Sequence, residues 1–292
     1  MAEPVVTIRN VTKHFDAKTA LTDISAAVEP GDVIGILGKN GAGKTTLLEV
    51  MLGFSPPNAG SVTVLGEDCL SMSSSVKERV GFVPQQDELL AMLTGQQQLA
   101  ITAAFHRHWD HALIERLVAE WTVPLKQRIQ SMSLGERQKL SVLTALGHHP
   151  DLLVLDEPVA SLDPIARRQF LRQLFDAAEN PARAVLFSTH IVSDLERVAT
   201  KIWIVKDGRL HWQGDADALK ESVVRLHVRS QEPLPSDLAI ANVLTSRVEG
   251  GYATAAVTQW RPEARDAIGN RLGATVEVEP LSLEEIFIEL HK

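Results

Sequence analysis

The segment Gly38-Lys39-Asn40-Gly41-Ala42-Gly43-Lys44-Thr45-Thr46 constrains the fold more than any other stretch of this chain. It fits G-x-x-x-x-G-K-[ST], a spacing that wraps backbone around a phosphate. Its surroundings agree with that reading. Val33-Ile34-Gly35-Ile36-Leu37 reads as a buried strand before it, and residues 45–52 read as a helix after it. The glycines let the backbone approach an anion where a side chain would collide. The loop N–H groups and the helix N-terminus then face that anion. Lys44 is placed to reach β- and γ-phosphates, and Thr45 to ligate Mg²⁺. A structural turn alone would explain the glycines but not the Lys-Thr pair in this context.

A chain of 292 residues makes one large domain or two smaller ones. With 45% hydrophobic and 23% charged residues it can bury an ordinary globular core. A formal net charge of −8 gives no general attraction to nucleic acid or anionic lipid. The single cysteine, Cys69, excludes an intrachain disulfide and fits a reducing compartment. Met1-Ala2-Glu3-Pro4 lacks the basic and apolar regions of a signal peptide. No apolar run approaches the roughly 18 residues of a membrane span. The expectation is a soluble, cytoplasmic protein, so any work at a membrane would need another chain.

Alternating or short apolar segments predict strands at 5–9, 22–28, 33–37, 60–66 and 79–84. From about 89 to 147 the periodicity turns helical, with Leu113, Leu117 and Val118 on one face. Continuous apolar runs at 152–155 and 184–187 predict parallel strands buried on both faces, joined by a crossover helix over 167–178. Asp207-Gly208 predicts a hairpin turn. A small antiparallel sheet beside a parallel core follows from this order. After about Lys220 the texture changes, with strands at 223–228, 252–258 and 275–278 and helices at 261–272 and 283–290. Ser282 and Glu285 form a capping box before the last helix. The expected division is a domain over 1–220, with a helical subdomain at about 87–149, and a small α+β domain over 221–292.

Two further motifs complete a candidate site. Leu152-Leu153-Val154-Leu155 delivers Asp156 and Glu157 at a strand end. Asp156 is placed to hold Mg²⁺ and Glu157 to polarise an attacking water. Met132-Ser133-Leu134-Gly135-Glu136 heads a long helix. Ser133 and Glu136 make an ordinary capping box, yet the same helix N-terminus can hold an anion. His106, His108 and His111 surround Trp109, but their spacing fits no common zinc pattern, so a polar helix face or loop is expected. His148-His149-Pro150 reads as a helix end.

Taken together, residues 5–215 resemble the nucleotide-binding subunit of an ABC transporter, with every motif in family order. Phe15 matches the aromatic that stacks on adenine, and Gly38 to Thr46 match Walker A. Gln85 matches the Q-loop glutamine, although Gln86 follows it. Ser133 and Gly135 keep the phosphate-touching positions of the signature L-S-G-G-Q. Met132, Leu134 and Glu136 depart from it, and Glu136 adds a negative charge there. Asp156 and Glu157 match Walker B and its catalytic glutamate, Ser161-Leu162-Asp163 the D-loop, and His190 the switch histidine.

The resemblance implies an α/β, RecA-like P-loop ATPase core with an antiparallel β subdomain and a helical subdomain. It implies Glu157, His190, Gln85 and Lys44 as catalytic residues. Nucleotide would be bound by Phe15, Gly38, Asn40, Gly41, Ala42, Gly43, Lys44, Thr45, Thr46, Ser133, Gly135 and Asp163. Mg²⁺ would be held by Thr45, Gln85 and Asp156. ATP, a transmembrane permease docked near 87–104, and a second ATPase subunit, identical or paralogous, are the implied partners; no nucleic acid is expected. The ending Pro280-Leu281-Ser282-Leu283-Glu284-Glu285-Ile286-Phe287 resembles that of antibiotic-type exporters. A soluble ABC ATPase acting on ribosomes or DNA is the alternative, and a non-hydrolysing nucleotide-binding module is a third possibility.

Overall fold

The computed structural model describes residues 3–16, 18–159, 162–180 and 182–291. They form two compact units, Met1–Gln213 and Gly214–Lys292. No described helix is long and apolar enough to cross a membrane.

The first unit starts with β1 (Val6–Phe15) and β2 (Lys18–Val28), an antiparallel pair. After β3 (Val33–Leu37) and α1 (Lys44–Met51), β4 (Ala59–Val64) pairs with β1 and carries the short β5 (Glu67–Asp68). The four strands make a sheet in the order β2-β1-β4-β5. A short α2 (Ser74–Lys77) leads to β6 (Val80–Val83). Three helices follow, α3 (Gly95–Ala104), α4 (His111–Glu120) and α5 (Leu134–Leu146). Then come β7 (Leu152–Asp156), α6 (Pro164–Ala178), β8 (Ala184–Thr189), α7 (Val192–Val198), β9 (Lys201–Lys206) and β10 (Arg209–Asp215).

The second sheet runs β10-β9-β3-β8-β7-β6, and β3 pairs in parallel with both β8 and β9. Every residue of β7 and β8 is buried, as strands covered on both faces require. Core side chains come from the antiparallel sheet (Val6, Ile8, Ile24), from α1 (Leu47, Leu48, Met51) and from the parallel sheet (Ile34, Ile36, Val154, Leu186). The two sheets therefore clamp α1 and fix the loop that precedes it. Cys69 is buried in the same core.

The helices are capped from within their own sequence. Thr94 with Gln97, and Ser133 with Glu136, form capping boxes, and Asp110 caps α4. Trp121, at the end of α4, packs edge-on against Phe170 of α6 with ring centroids 4.7 Å apart. His106 and His108 lie in the loop between α3 and α4, as expected, and His111 starts α4. His106 stacks on His148 at 4.0 Å and 8°, while His149 pairs with Asp110 at 2.8 Å. Burial, then the neighbouring His106, lowers the His148 pKa to about 4, so both stacked rings are neutral at pH 7.

The second unit opens with α8 (Ala216–Ser222), so the change of texture at about Lys220 falls inside a helix of this unit. Its sheet comprises β11 (Val224–Arg229), β12 (Val243–Glu249), β13 (Tyr252–Val257) and β14 (Thr275–Pro280), ordered β12-β13-β11-β14 with every neighbouring pair antiparallel. Helices α9 (Ala264–Leu272) and α10 (Leu283–Leu290) complete it, the latter with the expected Ser282–Glu285 capping box. Leu226, Val228, Ala253, Ala255, Ile268 and Val276 form the core. Arg225 bridges Glu279, Glu285 and Glu289 at 3.2–3.3 Å, and Thr245 Oγ1 donates to Glu289 at 2.6 Å.

Candidate functional site

The site grows from the C-terminal ends of β3 and β7. The chain leaves β3 through Gly38–Gly43 and enters α1 at Lys44. Gly43 holds φ at 110°, and a Cβ there would lie 2.8 Å from the Ala20 carbonyl. Gly41 has φ 80° with open space where its Cβ would be, so conformation rather than crowding selects glycine. The loop is braced from behind. Gly208, in the turn between β9 and β10, donates its N–H to the Ala42 carbonyl at 3.0 Å and accepts from Thr22 N at 2.7 Å. Asp207 and Gly208 both have positive φ, the conformation a two-residue hairpin turn needs.

Lys44 is only 6% exposed. Its Nζ donates to the Gly38 carbonyl at 2.8 Å and lies 3.3 Å from Glu157 Oε1. The other carboxylate oxygen, Oε2, is 2.6 Å from His190 Nδ1. Glu157 is therefore held between the loop lysine and the histidine that follows β8. Its backbone is left-handed, φ 51°, a conformation that is strained for a residue with a side chain. The adjacent Asp156 is 1% exposed and accepts a hydrogen bond from the Ser188 hydroxyl.

A cavity of about 340 Å³ opens at this point. Phe15, Asn40, Gly41, Gly43, Lys44, Thr45, Thr46, Gln85 and Glu157 line it, together with Lys18 and Ala20. Gln85 is among these lining residues, and its neighbour Gln86 is not. Phe15 is 45% exposed at the cavity wall, with Lys13 Nζ 4.8 Å from its ring centroid. A larger cavity of about 720 Å³, at the opposite ends of β3 and β8, is lined by none of the expected site residues.

Other expected site residues stand apart from the cavity. Gly38 and Ala42 are buried behind it, where Gly38 serves as an acceptor for Lys44 and Ala42 as an acceptor for Gly208. Ser133 caps α5 and donates its hydroxyl to Glu136 at 2.9 Å. Gly135 lies in the first turn of that helix. Asp163 caps α6 by accepting from Ile165 N and Ala166 N, and these bonds, the one from Ala166 first, hold its carboxyl below the usual range. Ser161 falls outside the described residues. Sequence reasoning missed Lys13 and Lys18 near the aromatic, and Gln138, which reaches the Glu157 backbone from α5.

Asp156, Thr45 and Gln85 offer a carboxylate, a hydroxyl and an amide carbonyl. Such an all-oxygen set suits a hard dication such as Mg²⁺. It is a small set, and no cluster of three or more His, Cys, Asp or Glu side chains occurs among the described residues.

Comparison with known proteins identifies the family. The family model described as "ABC transporter" matches residues 21–160. The uncharacterized ABC transporter ATP-binding protein YdbJ of Bacillus subtilis is 34% identical over 212 residues, 72% of this chain and 69% of that protein. The Nod factor export ATP-binding protein I of Burkholderia thailandensis is 31% identical over 301 residues, 99% of this chain and 98% of that one. The bacitracin transport ATP-binding protein BcrA of Bacillus licheniformis is 30% identical over 219 residues, covering 74% and 72%. Among solved structures, an ATP-binding subunit of an ABC transporter superposes with a TM-score of 0.65 at 25% identity, over 74% of this chain and 92% of that one. A dimeric ATP-binding cassette bound to ADP and Pi shares the fold at a TM-score of 0.64 and 21% identity, over 72% and 98%. The chain belongs to the ABC transporter family, as one of its ATP-binding subunits.

Proposed function

We propose that this chain binds and hydrolyses Mg-ATP and so energises a separate membrane permease that exports its substrate. One observation carries the reading: Lys44, Thr45, Gln85 and Glu157 converge on a single cavity with an aromatic ring at its wall. Phe15 offers a π-face for adenine. The loop N–H groups and Lys44 would bind the phosphates. Thr45, Gln85 and Asp156 would hold Mg²⁺, which when bound offsets the negative charge of the phosphates. Glu157 would take a proton from the attacking water, and His190 would keep that carboxylate aimed.

Ser133 and Gly135 are absent from the lining of the cavity. That favours their use at the nucleotide of a second ATPase subunit, identical or paralogous, with Asp163 near the same junction. Exposed Leu90, Met92, Ile101 and Phe105, in and beside 87–104, supply an apolar surface for a permease. Export is favoured by relatives named for Nod factor export that match 99% of this chain, its C-terminal unit included.

The test is Glu157→Gln. The substitution keeps shape and removes basicity, so turnover should fall about 10²–10⁴-fold while ATP binding persists. Phosphate release and calorimetric ATP titration measure the two quantities. Near-normal turnover would remove Glu157 as the base.

A further inference from the structure

Glu157 has to be kept in its left-handed conformation by something, because a glutamate does not rest there unaided. Both of its backbone polar groups are held by side chains. Its N–H donates to Ser188 Oγ at 2.9 Å, and the Ser188 hydroxyl in turn donates to Asp156. Its carbonyl accepts from Gln138 Nε2 at 3.1 Å. Gln138 stands in α5, beyond the Ser133–Glu136 cap, and is 8% exposed.

The Gln138 side chain is costly where it lies. Its Oε1 is buried and has no hydrogen-bond partner among the described residues. An unpaired buried acceptor is unfavourable, and a leucine of similar size would avoid the penalty. What the amide offers in return is the N–H that grips the Glu157 carbonyl. That carbonyl begins the peptide after the strained residue, so its orientation sets where the Glu157 side chain points. The carboxylate in turn has little tolerance, with one oxygen 3.3 Å from Lys44 and the other 2.6 Å from His190.

We propose that Gln138 is a positioning residue for Glu157, fixing the carboxylate through its backbone carbonyl; this rests on Glu157 being the general base. It also joins the helix headed by Ser133 to the reacting carboxylate of the same chain. A shift of α5 along its axis would pull on the Glu157 peptide directly.

Gln138→Leu removes the donor at nearly constant volume. Turnover at saturating Mg-ATP should fall about 10-fold or more, while KM for ATP stays within about twofold, the pattern of a group that acts on the chemical step alone. Gln138→Met, a flexible side chain of similar length, serves if the leucine variant folds poorly. The decisive comparison is the double variant with Glu157→Gln. If Gln138 acts only through Glu157, Gln138→Leu should slow the Glu157→Gln protein no further. A merely structural residue would lower melting temperature and ATP affinity, and its effect on turnover would multiply with that of Glu157→Gln. Unchanged kcat in Gln138→Leu, or a multiplicative double variant, overturns the proposal while leaving Glu157 as the base. Normal turnover in Glu157→Gln alone would remove the base assignment, and this proposal with it.

Discussion

Two charge clusters in this molecule use the same chemistry to different ends. Lys44 at the start of α1, and Glu157 and His190 just past the ends of β7 and β8, lie beside a cavity. Arg225, Glu279, Glu285 and Glu289 lie on β11, β14 and α10 of the second unit. In each, a cation meets a carboxylate that is about 5% exposed. The backbones differ. Glu157 has a left-handed backbone, and its lysine is the first residue after a glycine-rich loop. Glu289 and Arg225 sit on a regular helix and strand, and Thr245 of β12 ties Glu289 to a third element. The second cluster is a staple whose geometry follows from secondary structure. The first must be imposed by surrounding bonds, and it borders the space where a phosphate would arrive.

That contrast can be broken by substitution. Lys44→Ala should have the largest effect. It removes the charge proposed to meet the β- and γ-phosphates, so ATP affinity or turnover should drop by about 10²-fold or more. Fluorescent-nucleotide titration and phosphate release read it out, and a protein that still binds and turns over normally would make the first cluster another staple. Glu289→Ala should show the opposite pattern. Arg225 is a quarter exposed and keeps two other carboxylates, so the loss should be about 1–3 kcal/mol. Urea unfolding of the full chain measures it, and turnover per folded molecule should not change. A fall in turnover at unchanged stability would give the second unit a part in the reaction.

The stacked His106–His148 pair sharpens the comparison from a third position, since its burial stabilises only the neutral form. The folded-state pKa of His148, about 4, lies below its usual value of 6.5. Below pH 6.5 the unfolded chain takes up a proton that the folded chain refuses. Stability is therefore full above pH 6.5 and is lost as pH falls towards 4. The loss should reach about 2 kcal/mol at pH 5. Melting followed from pH 7 to pH 5 should show this slope, and His148→Gln should flatten it. An equal slope in the variant would assign the acid sensitivity to other groups.

Sequence reading succeeded where the signal is local. Gly41 and Gly43 announce a left-handed turn just before the helix that Lys44 begins. Ser133 with Glu136, and Ser282 with Glu285, announce helix starts through bonds between residues three apart. The buried runs at β7 and β8 identify themselves by lacking alternation. Strand β12 was missed because Val243-Leu244-Thr245-Ser246-Arg247-Val248 neither alternates nor forms a continuous apolar run; pairing with β13 makes it a strand. The His106–His148 stack is not legible, because nothing in the sequence around His106 names His148 as a partner. Gln138 carries no signal in the sequence, since its target lies on another element. Contacts set by tertiary structure leave no periodicity to read.

The Gly208 turn behind the phosphate loop has a thermodynamic consequence. Because Gly208 clips the Ala42 carbonyl and is itself clipped by Thr22, two separate stretches of chain back the loop. Its conformational entropy is given up when the domain folds, not when an anion arrives. Binding therefore gains nearly the full enthalpy of the loop N–H groups without an ordering penalty at that step. Nucleotide association at this loop should accordingly resemble docking to a rigid mould, with a small entropic cost and little dependence on anything that stiffens the chain elsewhere.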